Sequence, residues 1–170
     1  MKQISILIIT LALIPISSIT FSQSALKIGH VNINELMASL PERDSAQVLL
    51  DKETKEIQAT YEEMQVRINI QIEEYQKNIS SYTELVKKTK ETEIYDIQKR
   101  AQEFEQNASL TLQKRNVELF QPIYDKIIKA IEKVANENSF TYILDTSNKS
   151  VVFTSKDSQN INSQVLSLLK

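Results

Sequence analysis

The chain has 170 residues, with 20 Lys and Arg against 22 Asp and Glu, one Gly, three Pro, one His and neither Cys nor Trp. Without Cys there is no disulfide framework, thiolate metal cluster, cysteine nucleophile or cysteine lipid anchor, and with Gly29 alone neither a Walker A loop nor a GxGxxG turn can be written. His30 by itself cannot build a multi-histidine zinc site, and a net charge of −2 lacks the clustered basic surface of a general nucleic-acid binder.

Met1 and Lys2 precede an apolar run from Ile4 to Ile14, which Pro15 breaks before Ser17, Ser18 and Thr20. Thr20-Phe21-Ser22 places small residues three and one before a cut, so residues 1–22 are expected to be a signal peptide cleaved after Ser22. A retained membrane anchor is the alternative. Leu26-Lys27-Ile28-Gly29-His30-Val31 then predicts a strand, in which the lone His30 is a structural residue rather than a ligand. Asn32 or Asn34 caps a short helix through Leu40, and Asn32 with Glu35 has the spacing of a capping box. Pro41 suits the first turn of the helix that follows.

From Arg43 to Gln121 there is neither Gly nor Pro, which permits long uninterrupted helices. Large apolar residues recur at Leu50, Ile57, Tyr61, Met64, Ile68, Ile72, Tyr75, Ile79, Tyr82 and Val86, mostly three or four apart. Residues 87–93 carry nothing apolar, and the pattern resumes at Ile94, Ile97, Ala101, Phe104, Ala108 and Leu112. Two patterned arms around a polar interruption predict an antiparallel helical hairpin over 43–122 with its tip near 88–92; one continuous helix dimerising in parallel is the alternative. The seam uses Tyr, Met and Ala where a stable zipper repeats Leu and Ile, so the arms are expected to be mobile. Ordinary seam packing explains that stripe. The sharper reading makes Tyr61, Met64, Ile68, Tyr75, Tyr82 and Phe104 an adaptable surface for varied apolar partners. Lys87, Lys88 and Lys90 give the tip a basic lean, read first as a solvated turn and second as a contact point for a client or lipid. The pairs Glu62-Glu63 and Glu73-Glu74 are solvated charge, because neighbours one apart on a helix do not face each other across a substrate.

Phe140-Thr141-Tyr142-Ile143-Leu144-Asp145 predicts a second strand, residues 146–149 a turn, and Ser150-Val151-Val152-Phe153-Thr154 a third strand closing a hairpin. Asn160 is expected to cap a last helix carrying Ile161, Val165, Leu168 and Leu169. The fold class is therefore α+β, mostly α. Residues 23–42 and 123–170 form a small β-rich oligomerisation body from both chain ends, with the long coiled-coil hairpin inserted between them. A body that small with open strand edges is expected to gain stability by association. No nucleophile, base and orienting group come together, so no enzyme activity, metal or cofactor is expected.

This layout resembles the Skp/OmpH family of periplasmic chaperones over the whole chain beyond residue 22. The resemblance is carried most specifically by Lys27-Ile28-Gly29-His30-Val31-Asn32, by the stretch from Glu118-Leu119-Phe120-Gln121-Pro122-Ile123 through Ala130-Ile131-Glu132-Lys133-Val134-Ala135, by Phe140–Asp145, and by Val151-Val152-Phe153-Thr154-Ser155-Lys156-Asp157 with Asn160-Ile161. It implies a homotrimer with a β-rich body and three helical tentacles that hold unfolded outer-membrane proteins in the periplasm without ATP. The chain departs from the basic members of that family: residues 43–121 carry 12 Lys and Arg against 15 Asp and Glu, so no residue is assigned to lipopolysaccharide or membrane. The expected mechanism is caging, in which many weak contacts keep an unfolded chain away from others. The rival reading is a structural coiled-coil envelope protein that binds one folded partner.

Overall fold

A computed structural model describes residues 26–170. The signal peptide expected over 1–22 lies outside the described residues. The element order is β1 (Ile28–Val31), α1 (Ile33–Ala38), α2 (Pro41–Asn78), a 3-10 turn (Ile79–Ser81), α3 (Glu84–Glu137), β2 (Tyr142–Asp145), β3 (Gln159–Asn160) and α4 (Asn162–Leu169).

Local chemistry explains most boundaries. The Glu35 N–H donates to Asn32 Oδ1 at 3.1 Å, capping α1, and the reciprocal bond of the box comes from elsewhere: the Asn32 N–H donates to Asn162 Oδ1 at 2.9 Å. Pro41 is the first residue of α2, where its missing N–H costs nothing. The arms are 38 and 54 residues long, about 57 and 81 Å at 1.5 Å per residue, and α3 continues through Pro122.

The hairpin is antiparallel as expected, but its tip is not at 88–92. The chain turns at 79–83, and residues 87–93 lie inside α3. Lys and Glu are good helix formers, and the Lys87–Glu84 and Lys90–Glu93 ion pairs, at 2.8 and 2.9 Å, support that stretch locally. Asn78, Ser80, Ser81 and Thr83 are the residues that compete with helical hydrogen bonds. Thr83 caps α3 by accepting from the Val86 N–H at 3.4 Å. Polarity alone was a poorer turn signal than capping chemistry.

The predicted C-terminal hairpin is also absent. β2 and β3 do not pair with each other; they flank β1 in parallel, in the order β2-β1-β3, with Ile28 opposite Tyr142 and His30 opposite both Leu144 and Asn160. Residues 150–154 are irregular, with Val152 95% and Phe153 80% exposed. A β-branched run favours extended backbone but needs a partner strand. Here the second edge of β1 is taken by Gln159–Asn160, anchored where the Ile161 N–H donates to the His30 carbonyl at 3.0 Å. α4 starts one residue later than expected: Ile161 is its N-cap, while Asn160 Oδ1 accepts from the Asn162 N–H at 2.8 Å.

The core lies where the last part of α3 meets β1, α1 and α4. Val31, Leu36, Ile127, Ile161 and Val165 are fully buried, joined by Leu40, Ile123, Ile131 and Val134. Gly29 admits close packing on β1: a Cβ built there would sit 2.9 Å from both Ile143 Cδ1 and Phe140 Cε1. His30 is held structurally, its Nε2 3.0 Å from Ser158 Oγ.

Candidate functional surface on the helical arm

The arm seam is the one its periodicity predicts. Ile68 and Ala101 are buried, and Tyr61, Met64, Tyr75, Tyr82 and Phe104 are half-buried along the contact between α2 and α3. Five of the six apolar candidates thus sit between the two helices and Tyr82 lies in the turn that joins them; all but the buried Ile68 keep part of the side chain reachable from solvent. Lys87, Lys88 and Lys90 lie on the first turns of α3 rather than at the tip; Lys87 and Lys90 are paired within the helix, and Lys88 is exposed.

Toward the body, charge clamps the seam. The Lys126 ammonium donates to Glu42 at 2.7 Å, and the Arg115 Nε donates to both oxygens of Glu53 at 2.8 and 3.1 Å. The Lys126 hydrogen bond holds the Glu42 carboxyl below the usual carboxylate range, and Glu53 raises the Arg115 guanidinium further. Near the tip the Tyr75 hydroxyl donates to Glu91, which pushes the Tyr75 phenol up to about 12.

A second apolar pattern, distinct from the predicted seam residues, runs along the outside of the hairpin. Val48, Val66 and Ile70 on α2 are exposed, as are Leu85, Tyr95, Leu110 and Val117 on α3. At 3.6 residues per turn, Val48, Ala59, Val66 and Ile70 fall within about 40° of one another and about half a turn from the seam. Leu110 and Val117 are seven apart on α3, in line with Tyr124, and also face away from the seam. The hairpin is therefore a two-helix ribbon with an apolar stripe on each outer edge. Charged residues interrupt both stripes: Lys52, Lys55, Glu62, Glu63 and Glu73 on α2, and Lys99, Glu103 and Lys114 on α3. The signal is a second helical period in the sequence, weaker than the seam because charged residues interrupt it.

The body carries a different surface. Ile28, Tyr142 and Leu144 lie on one side of the sheet and are 44, 58 and 42% exposed, whereas Gly29, Val31 and Ile143 point to the other. Leu26, Val152 and Phe153 add exposed apolar side chains in the flanking loops. Among the described residues, no cluster of His, Cys, Asp and Glu could hold a metal ion, and no helix is long and apolar enough to cross a membrane.

Comparison with known proteins matches residues 27–169 to the family described as outer membrane protein (OmpH-like). The proteins called chaperone protein Skp from Photorhabdus laumondii and Photorhabdus luminescens are each 27% identical over 153 residues, covering 88% of this chain and 88% of their own. A crystal structure of an OmpH-like outer membrane chaperone from Caulobacter crescentus superposes with a TM-score of 0.71 at 10% identity, covering 84% of this chain and 83% of that one, a likeness of fold.

Proposed function

Since this chain belongs to the OmpH-like family, we propose that it is a periplasmic holdase chaperone that works without ATP, caging unfolded outer-membrane proteins between the helical arms of a homotrimer. The observation that carries this reading is the interrupted apolar stripe on each outer edge of the arm. A folded partner needs a contiguous face of roughly 800 Å². Single Val, Ile, Leu and Tyr side chains separated by charges instead suit a flexible chain that adapts residue by residue. A one-sided contact on such a side chain contributes about 1 kcal/mol, too little to trap a client alone. Several contacts on each of several arms act at high effective concentration and hold it collectively. Release needs no chemistry, because folding into the outer membrane buries the client surface that was held.

Oligomerisation is supported by the uncovered sheet face of Ile28, Tyr142 and Leu144, with Val152 and Phe153 beside it. A compact part this small is better stabilised with that face covered by further copies of the chain. Export depends on the segment at 1–22.

The test dilutes a urea-unfolded outer-membrane barrel protein into buffer with the purified protein and no nucleotide, following light scattering and then the native mass of soluble complexes. Suppressed scattering with one client per oligomer is expected. The triple variant V66D/I70D/L110D should keep its helicity and oligomer mass but lose most suppression. Unchanged aggregation with the unaltered protein would overturn the reading and favour a structural scaffold.

A further inference from the structure

We infer that the distal end of the arm, residues 71–94, opens as a unit of its own, held shut by a polar latch between Tyr75 and Glu91 rather than by apolar packing. The composition of the seam changes along its length. At the base, Ala46, Ile123 and Ile127 are all buried in the core cluster, and the Glu42–Lys126 and Glu53–Arg115 pairs clamp the two helices. In the middle, Ile68 and Ala101 are buried, and Tyr61, Met64 and Phe104 are half-buried on the same seam. Beyond Ile72 and Ile94, residues 87–93 of α3 carry no apolar side chain, and the next two toward the turn, Val86 and Leu85, are exposed.

Polar groups fill the gap. The Tyr75 hydroxyl donates to Glu91 Oε1 across the hairpin, and the Tyr75 and Tyr82 rings lie 6.4 Å apart, tilted by 33°. Behind them is a small box of about 30 Å³ walled by Gln71, Tyr75, Tyr82, Lys90, Glu93 and Ile94. Gln71 Oε1 is shielded from solvent there and has no hydrogen-bond partner. No protein group pairs with this acceptor, so the box adds no direct hydrogen bond between the helices and leaves the closed form to the Tyr75–Glu91 contact. The turn adds little anchorage, since Ile79 is 41% and Leu85 76% exposed. Opening would uncover Tyr82 and Ile94 in addition, so the distal end of each arm would present more apolar surface while unlatched than while closed. Such sub-global openings are resolved by hydrogen exchange as segments sharing one opening free energy.

Hydrogen exchange on the purified protein tests this. Amides of 71–94 are expected to share one lower protection than those of 44–60 and 108–134. Tyr75→Phe keeps the ring and removes the donor; it should speed distal exchange by about tenfold and leave the arm base unchanged. Gln71→Leu removes the orphaned acceptor and fills the box, and should slow distal exchange. Exchange of 71–94 in step with the base, or a Tyr75→Phe protein with unaltered distal exchange, would overturn the latch. So would faster distal exchange in Gln71→Leu, the result for a residue that merely fits the seam. A variant that is destabilised throughout shows itself as faster exchange at the base as well, and that too counts against a local latch.

Discussion

Replacing Gly29 with Ala tests the close packing between β1 and the segment leading into β2. The added Cβ would meet Phe140 Cε1 and Ile143 Cδ1 at 2.9 Å and Phe140 Cδ1 at 3.2 Å, inside the ordinary carbon contact of about 3.5–4.0 Å. Ile143 can swing its terminal methyl aside. The Phe140 ring has less freedom: the Lys27 ammonium sits 4.3 Å from its centroid, and the Phe140 N–H donates to the Ala135 carbonyl at 2.9 Å. Overpacking of this kind costs about 1–3 kcal/mol, and the stiffer unfolded chain of an alanine returns about 0.4–1. The expected net loss is about 1–2 kcal/mol, a drop of roughly 0.5–1 M in the urea midpoint for a slope near 2 kcal/mol/M. Urea unfolding by circular dichroism should be run at one fixed protomer concentration, because association shifts the midpoint. In a Phe140→Leu background the obstructing ring is gone and the cost of Gly29→Ala should largely vanish. Equal costs in both backgrounds, additive within about 0.5 kcal/mol, would refute the ring contact as the cause.

Ile127→Ala removes a fully buried side chain from the junction of α3 with the body and should cost about 2–5 kcal/mol, read from the same urea curves; a loss below ~1 kcal/mol would mean that the junction collapses around the cavity. Glu42 has its carboxyl pKa depressed by Lys126, so the pair stabilises the fold above the ordinary value of 4.5 and that contribution is lost as pH falls through the lower folded value. Acid unfolding of Glu42→Gln should therefore lack this part of the pH dependence while matching the unaltered protein once the Glu42 carboxyl is protonated in both states, and identical profiles throughout would remove the pair from the account.

Much of the architecture was legible because its causes are local. Asn32 and Pro41 mark helix starts through their own side chains, and both act as read. The seam residues from Leu50 to Leu112 announce themselves by a period of three and four, and nearly all are shielded in the hairpin; Ile79 and Val86, beside the turn, are the exposed exceptions. The candidates Tyr61, Met64, Ile68, Tyr75, Tyr82 and Phe104 belong to that same period. It finds the face where two helices meet before it finds a face that meets anything else. The outer stripe of Val48, Val66 and Ile70 was equally periodic, but nothing in one sequence says which of two stripes is left uncovered.

Two long helices, their shared seam and strands within 26–31 and 140–145 are written in the amino-acid order alone, because absent breakers, capping residues and apolar spacing act within a few residues. The turn at 79–83, the parallel strands with Gln159–Asn160 on the second edge, and the exposure of Val152 and Phe153 emerge in the folded chain. Those outcomes rest on competition among distant partners. A polar stretch stays helical once its neighbours are good helix formers, and the free edge of β1 goes to the segment whose next residue, Ile161, can be buried.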